Sequence, residues 1–153
     1  MTESIRYGVV GTGGYGTNHA DAVVDRDDAE LVAGAAATES SAEEFATAYD
    51  AAGFADYDRM FERANLDAIS VCTPSGTHAE VAVAAMEAGI APIVEKPLDV
   101  YLDRIDRMID VADATGVPLG GVFQRRFTPE RWTARRWVED GRFGDMILAD
   151  TAV

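Results

Sequence analysis

Val9-Val10-Gly11-Thr12-Gly13-Gly14-Tyr15-Gly16 decides the fold. An apolar run from Ile5 to Val10 leads straight into Gly11-x-Gly13-x-x-Gly16, and a helix-compatible segment follows from Thr17 to Val24. Strand, glycine turn and helix in that order are the setting in which this motif binds a dinucleotide. Gly11 allows the tight turn, Gly13 lets the backbone approach a pyrophosphate, and Gly16 lets the helix pack close to the strand. The free N–H groups and positive dipole end of that helix then face the phosphates.

Working outward, the pattern repeats. Ala29 to Ala35 reads as a second strand, and a helix capped by Ser40-Ser41, with Glu43-Glu44 in its first turn, runs to about Tyr49. Gly53 to Ala55 is a short third strand, and Asp56 caps a helix through Phe61 and Arg63. Asp67 to Cys72 is nearly all apolar, as a strand buried on both faces should be. After the turn Thr73 to His78 comes a helix from Ala79 to Ala88, closed by Gly89. Ala91 to Val94 is the fifth strand and ends in Glu95-Lys96-Pro97. Leu102, Ile105, Met108, Ile109 and Ala112 recur at helical spacing up to Gly116, and Leu119 to Phe123 is a sixth strand. Alternating strands and helices with short turns predict an α/β fold, a doubly wound, Rossmann-type parallel sheet, over residues 1–123. From Gln124 the pattern changes. Thr128-Pro129-Glu130 starts a helix that runs to about Asp140, and Met146 to Val153 reads as a final strand in need of a partner. That strand implies a missing continuation, or a second copy supplying the sheet in a homo-oligomer.

The charge balance narrows the partners. Thirteen cations against 27 carboxylates leave a net charge of −14, and Lys96 is the sole lysine. A field this negative argues against nucleic acid and anionic membrane as partners. It resembles the surface of proteins from salt-loving cells. No apolar run approaches the roughly 20 residues of a membrane span. The polar start Met1-Thr2-Glu3-Ser4 has no signal-peptide pattern, so cytoplasm is the expected compartment. Cys72, the only cysteine, reads as a small core residue, and no metal site is assigned.

Ligands of such a sheet bind outside the C-terminal ends of the strands. Gly11–Gly16, Ala36–Glu39, Thr73–His78 and Glu95–Pro97 all fall there. The glycine turn, Cys72-Thr73-Pro74-Ser75-Gly76-Thr77-His78, Ala85-Met86-Glu87-Ala88-Gly89, Glu95-Lys96-Pro97 and Gln124-Arg125-Arg126-Phe127 occur in one order. Together they resemble the glucose–fructose oxidoreductase / inositol dehydrogenase / MocA (Gfo/Idh/MocA) family of nicotinamide-dependent oxidoreductases, over nearly the whole chain. The resemblance implies an N-terminal nucleotide-binding domain, with residues 124–153 opening a C-terminal substrate and dimerisation domain. It implies NAD or NADP as cofactor and a sugar, polyol or related hydroxy compound as substrate. Lys96 would lie beside nicotinamide and substrate and relay the alcohol proton, its pKa lowered by burial. Gly11, Thr12, Gly13, Gly14, Tyr15 and Gly16 would hold the dinucleotide's phosphates, and Thr73, Pro74 and Ser75 would line its ribose and phosphate path. Glu95 would orient Lys96, bind the ribose or form an ion pair. His78 reads first as a turn and cap residue, Arg126 as an active-site arginine or a salt-bridge partner, and His19 as structural. Trp132 and Trp137 read as core or interdomain packing.

Two departures stand out. The acid expected about 20 residues beyond the glycines, on the ribose hydroxyls, is Ala36 here. Thr38, Ser40 and Ser41 are candidates for a phosphate instead, and Glu39 for the ribose, which leaves NAD against NADP open. The family's further acid and histidine would lie beyond Val153. Ala36 therefore keeps a second reading alive, a non-catalytic nucleotide-sensing or partner-binding module. The same residue argues against an adenosylmethionine-dependent methyltransferase, which needs an acid near that position.

Overall fold

β1, Ile5–Val10, is central because both of its faces are apolar. In the computed structural model, which describes residues 4–150, Val9 packs into one cluster of buried side chains and Val10 into another. Successive residues of a strand point to opposite faces, so β1 is covered on both sides.

The elements that follow are α1 (Gly14–Val24), β2 (Ala29–Ala35), α2 (Glu39–Tyr49), β3 (Ala52–Phe54), α3 (Tyr57–Arg63) and β4 (Ala68–Val71). Then come α4 (His78–Glu87), β5 (Ala91–Val94), α5 (Leu102–Thr115), β6 (Gly120–Gly121) and α6 (Pro129–Glu139). Six parallel strands pair in the order β3-β2-β1-β4-β5-β6. Strand order therefore reverses between β1 and β4, which is where an open α/β sheet leaves its ligand crevice. This is the Rossmann-type fold that the strand–helix alternation predicts.

On one face Ala20 and Val23 of α1 and Phe45 of α2 bury Val9 and Leu31. Gly34 makes room for Phe45, since a Cβ there would run into the ring. On the other face Met60, Met86 and Met108 from α3, α4 and α5 cover Ile69, Val71 and Val94. Each of these large side chains contributes roughly 1.5–3 kcal/mol by leaving water. The pairing of β1 with β2 slips by one residue after Tyr7. The slip changes the parity of β2, so Leu31 belongs to the first cluster and Ala33 and Ala35 to the second.

Local chemistry moves several boundaries. α1 begins at Gly14, inside the glycine motif. Thr38, not Ser40 or Ser41, caps α2, its Oγ1 accepting the Ser41 N–H at 3.2 Å. Asp56 caps α3 through the N–H groups of Asp58 and Arg59. Gly116 ends α5 in the left-handed region at φ +71°. β6 keeps two residues of the five expected, and one further ladder bond runs from Val122 N–H to the Val94 carbonyl at 2.8 Å. Pro118, just upstream, has no N–H to offer such a ladder.

The chain divides into two compact units between Val122 and Phe123. In the second, a single 3₁₀ turn (Gln124–Phe127) precedes α6, and Trp137 meets Phe143 edge-on at 6.1 Å. Trp132 and Trp137 are exposed, not core. Met146–Asp150 forms no strand, and the rest of that expected strand, residues 151–153, lies outside the described residues.

Candidate functional site

The glycine turn is built from within. Gly11 sits at φ +93°, its N–H donates to the Ala35 carbonyl at 2.8 Å, and a Cβ there would lie 2.6 Å from the Cys72 carbonyl group. At Gly16 a Cβ would run into the Gly11 carbonyl oxygen. Gly13 and Gly14 differ, since a Cβ on either would meet nothing within 4 Å. Two glycines of the motif are therefore demanded by the protein's own packing, and two face open space. α1 has no side-chain cap, so its first N–H groups are presented to that space.

Beside the turn, a cavity of about 380 Å³ opens between the ends of β1, β2 and β4. Gly11, Ala36, Ala37, Asp56, Tyr57, Thr73 and Pro74 are among its lining. The wall is mostly apolar. The Tyr57 hydroxyl donates to Glu80 at 3.2 Å, and burial first, then the nearby Glu80 and Asp58 charges, push its pKa up to about 12. Ala36 is buried, with its N–H on the Phe54 carbonyl. Thr38 is occupied as the cap of α2, whereas Ser40 and Glu39 are exposed.

The turn after β4 is clamped. His78, 2 % exposed, bridges the carbonyls of Thr73 (Nε2, 2.7 Å) and Pro97 (Nδ1, 2.8 Å). The Thr77 hydroxyl lies 2.8 Å from the Pro74 carbonyl oxygen, and Arg104 donates to the Gly76 carbonyl at 2.7 Å. Asp99 accepts the N–H groups of Ala79, Val100 and Tyr101. Burial pushes the Asp99 carboxyl up, but the three N–H donors outweigh it and hold the group below the usual carboxylate range. His78 thus ties the Thr73 loop to the Lys96-Pro97 loop, whose peptide bond is cis.

At the end of β5, Glu95 is 7 % exposed. One carboxylate oxygen accepts the Lys96 backbone N–H at 3.0 Å, and the other lies 3.1 Å from His19 Nε2. Each carboxylate oxygen thus has one protein partner. His19 Nδ1 reaches Ser70 Oγ at 2.7 Å, which in turn meets the Tyr7 hydroxyl at 2.9 Å. Lys96 is exposed, so the burial expected for it is absent, and its ammonium sits 5.3 Å from the centre of the Tyr15 ring. Burial, then the Glu95 charge, push the Cys72 thiol up to about 12.

Lys96, the glycine turn and the Thr73–His78 turn are thus carried on adjoining strand ends of the first unit. Arg126 belongs to the second, where its guanidinium lies 5.6 Å from the Phe123 ring centre. Sequence reasoning passed over Ser70, Asp99 and Tyr7, and read His19 only as structural. A serine inside an apolar strand and a histidine one turn after Gly16 were the available signals. No metal-binding cluster and no helix long and apolar enough to cross a membrane occur among the described residues.

A family model described as oxidoreductase family, NAD-binding Rossmann fold, matches residues 5–122. Inositol 2-dehydrogenase of Rhizobium meliloti is 36% identical over 145 residues, 95% of this chain and 44% of that protein. Among solved structures, the WlbA dehydrogenase from Bordetella pertussis in complex with NADH and UDP-GlcNAcA superposes with a TM-score of 0.90 at 32% identity, covering 93% of this chain and 44% of that one. Scyllo-inositol dehydrogenase from Lactobacillus casei, with bound NAD(H) and scyllo-inositol, gives 0.87 at 27% identity, covering 94% and 43%. The chain spans less than half the length of these relatives.

Proposed function

The chain belongs to the Gfo/Idh/MocA oxidoreductase family, and on that premise we propose that it is the dinucleotide-binding part of an NAD(P)-dependent oxidoreductase acting on a sugar, polyol or related hydroxy compound. One observation carries the reading. The only lysine of the chain stands exposed at the end of β5, with its ammonium over the tyrosine of the glycine turn. The pyrophosphate falls to the open side of Gly13 and Gly14 and to the first N–H groups of α1. The adenosine falls to the cavity between Ala36, Tyr57 and Thr73. Thr73, Pro74 and Ser75 line the path onward. When bound, the nicotinamide supplies the hydride acceptor or donor. In its neutral amine form Lys96 takes the hydroxyl proton as an alcohol becomes a carbonyl, and as an ammonium it returns that proton in the reverse direction. Glu95 accepts the backbone N–H of Lys96 and so holds it in place.

NADH and inositol bound to relatives support NAD(H) and a polyol. Residues 124–153 open the C-terminal substrate and dimerisation domain, with Arg126 among its substrate-side residues, in a cytoplasmic homo-oligomer. Titration of the chain with NADH and with NADPH measures the first half of the reading. A longer form of the protein, assayed with inositols and a sugar panel, measures the second. There Lys96→Ala should cut hydride transfer about 10²–10⁴-fold while dinucleotide binding persists. A longer form with Lys96 intact that reduces neither cofactor with any of these compounds overturns the proposal.

Ala36 favours a second reading, a nucleotide-sensing or partner-binding module without catalysis. Such a module keeps its function in Lys96→Ala. The net charge of −14 with a single lysine further supports origin in a salt-loving cell. Raising salt from about 0.1 to 1 M shortens the screening length from roughly 10 to 3 Å. Stability should rise steeply over that range, and a flat denaturation midpoint removes this part.

A further inference from the structure

Ser70 is fully buried in a strand that is otherwise apolar, and it is not idle. Tyr7 on β1, Ser70 on β4, His19 on α1 and Glu95 after β5 form one unbranched chain of contacts at 2.9, 2.7 and 3.1 Å. Lys96 N–H closes its end on the second oxygen of Glu95. Donor counting gives the chain a direction. A carboxylate only accepts, so His19 carries its proton on Nε2 and donates to Glu95. With a neutral ring Nδ1 is an acceptor, the Ser70 hydroxyl donates to it, and the Ser70 oxygen accepts the Tyr7 O–H. Every link pairs one donor with one acceptor, and no buried side-chain nitrogen or oxygen among the described residues lacks a partner.

We propose that His19 is a positioning residue: through Nε2–H it fixes the Glu95 carboxylate, which in turn fixes the backbone of Lys96. The inference rests on the oxidoreductase reading for the meaning of Lys96, but not for the wiring. Its consequence is a link between the helix that opens with the glycine turn and the strand end that bears the lysine. An aliphatic residue at position 19 would fill the space, leave one Glu95 oxygen without a partner and leave Ser70 with Tyr7 alone.

Composition makes the test direct, because the chain has two histidines and one lysine. In ¹⁵N-histidine- and ¹⁵N-lysine-labelled protein, Lys96 gives the single lysine amide signal and His19 one of two ring patterns. The expected His19 ring carries a proton on Nε2 and shifts in Ser70→Ala and in Glu95→Gln. His19→Ala should move the Lys96 amide signal. His19→Gln, whose amide N–H reaches Glu95, should restore it, and His19→Asn, too short to do so, should not. A packing role treats Asn and Gln alike. A His19 proton on Nδ1 alone, or a Lys96 amide that is the same in all variants, overturns the proposal. Ser70→Ala leaves α1 intact and reports on the same chain should the His19 variants fail to fold. NADH titration of the same samples is read separately. A chain that shows the expected signals yet binds no dinucleotide overturns the oxidoreductase reading and leaves the wiring in place.

Discussion

The two halves of the sheet are built from different chemistry. Among the described residues, the buried polar and charged ones, Ser70, His78, Glu95 and Asp99, all lie in or after β4 and β5. On the other side of β1, the buried residues in and after β2 are Leu31, Ala33, Gly34, Ala35 and Ala36, with Ala42, Phe45 and Met60 from the helices. One half holds its loops by hydrogen bonds to buried side chains. The other is a small, apolar wall that makes few demands on what enters. The contrast teaches that precision is concentrated around Lys96, while the wall at Ala36 provides space and little discrimination.

The sharpest way to break the contrast is at the seam between the halves. Gly16→Val places a side chain against the Gly11 carbonyl and should cost about 3 kcal/mol, read as a fall in the urea midpoint with dinucleotide binding lost. Gly13→Ala, which meets nothing within 4 Å, should leave the midpoint near that of the parent and weaken only NADH binding.

Within the wired half, Asp99→Asn should cost about 1 kcal/mol at pH 7, since one charged acceptor now serves three N–H donors. Asp99 is held below the usual carboxylate range, so its contribution is present above that range and fades as pH falls through its folded value. The difference between parent and variant midpoints should therefore shrink and disappear at pH values well below the usual carboxylate range. A difference that persists there contradicts the assignment.

In the apolar half, Ala36→Asp restores a carboxylate at the position expected to meet ribose hydroxyls. It should tighten NADH about tenfold and weaken NADPH, by titration. The smallest effect is at Tyr57, whose ring lines the cavity while its hydroxyl points to Glu80. Tyr57→Phe should change stability by no more than about 0.5 kcal/mol and leave NADH affinity unchanged.

These halves were unequally legible in the sequence. β2 and β5 have the ends the apolar runs suggest, and the glycine turn and Asp56 cap sit where the residues place them. Local patterns specify such elements. The clamp of His78 on Pro97 and the contact of His19 with Glu95 join residues 19 and 76 positions apart, and no local pattern carries that information. Thr38 displaced Ser40 and Ser41 as cap because α2 already begins at Glu39, ahead of the serine pair. The apolar run from Met146 illustrates the opposite error. Hydrophobic residues without a neighbouring strand make no ladder, and Met146–Asp150 forms none.

The strand lengths have one more consequence. The outermost strands are the shortest, three residues in β3 and two glycines in β6, against six and seven in β1 and β2. A sheet tapered in this way offers a stray polypeptide almost no ladder to extend, which guards an alanine-rich protein against templated aggregation through its own rim.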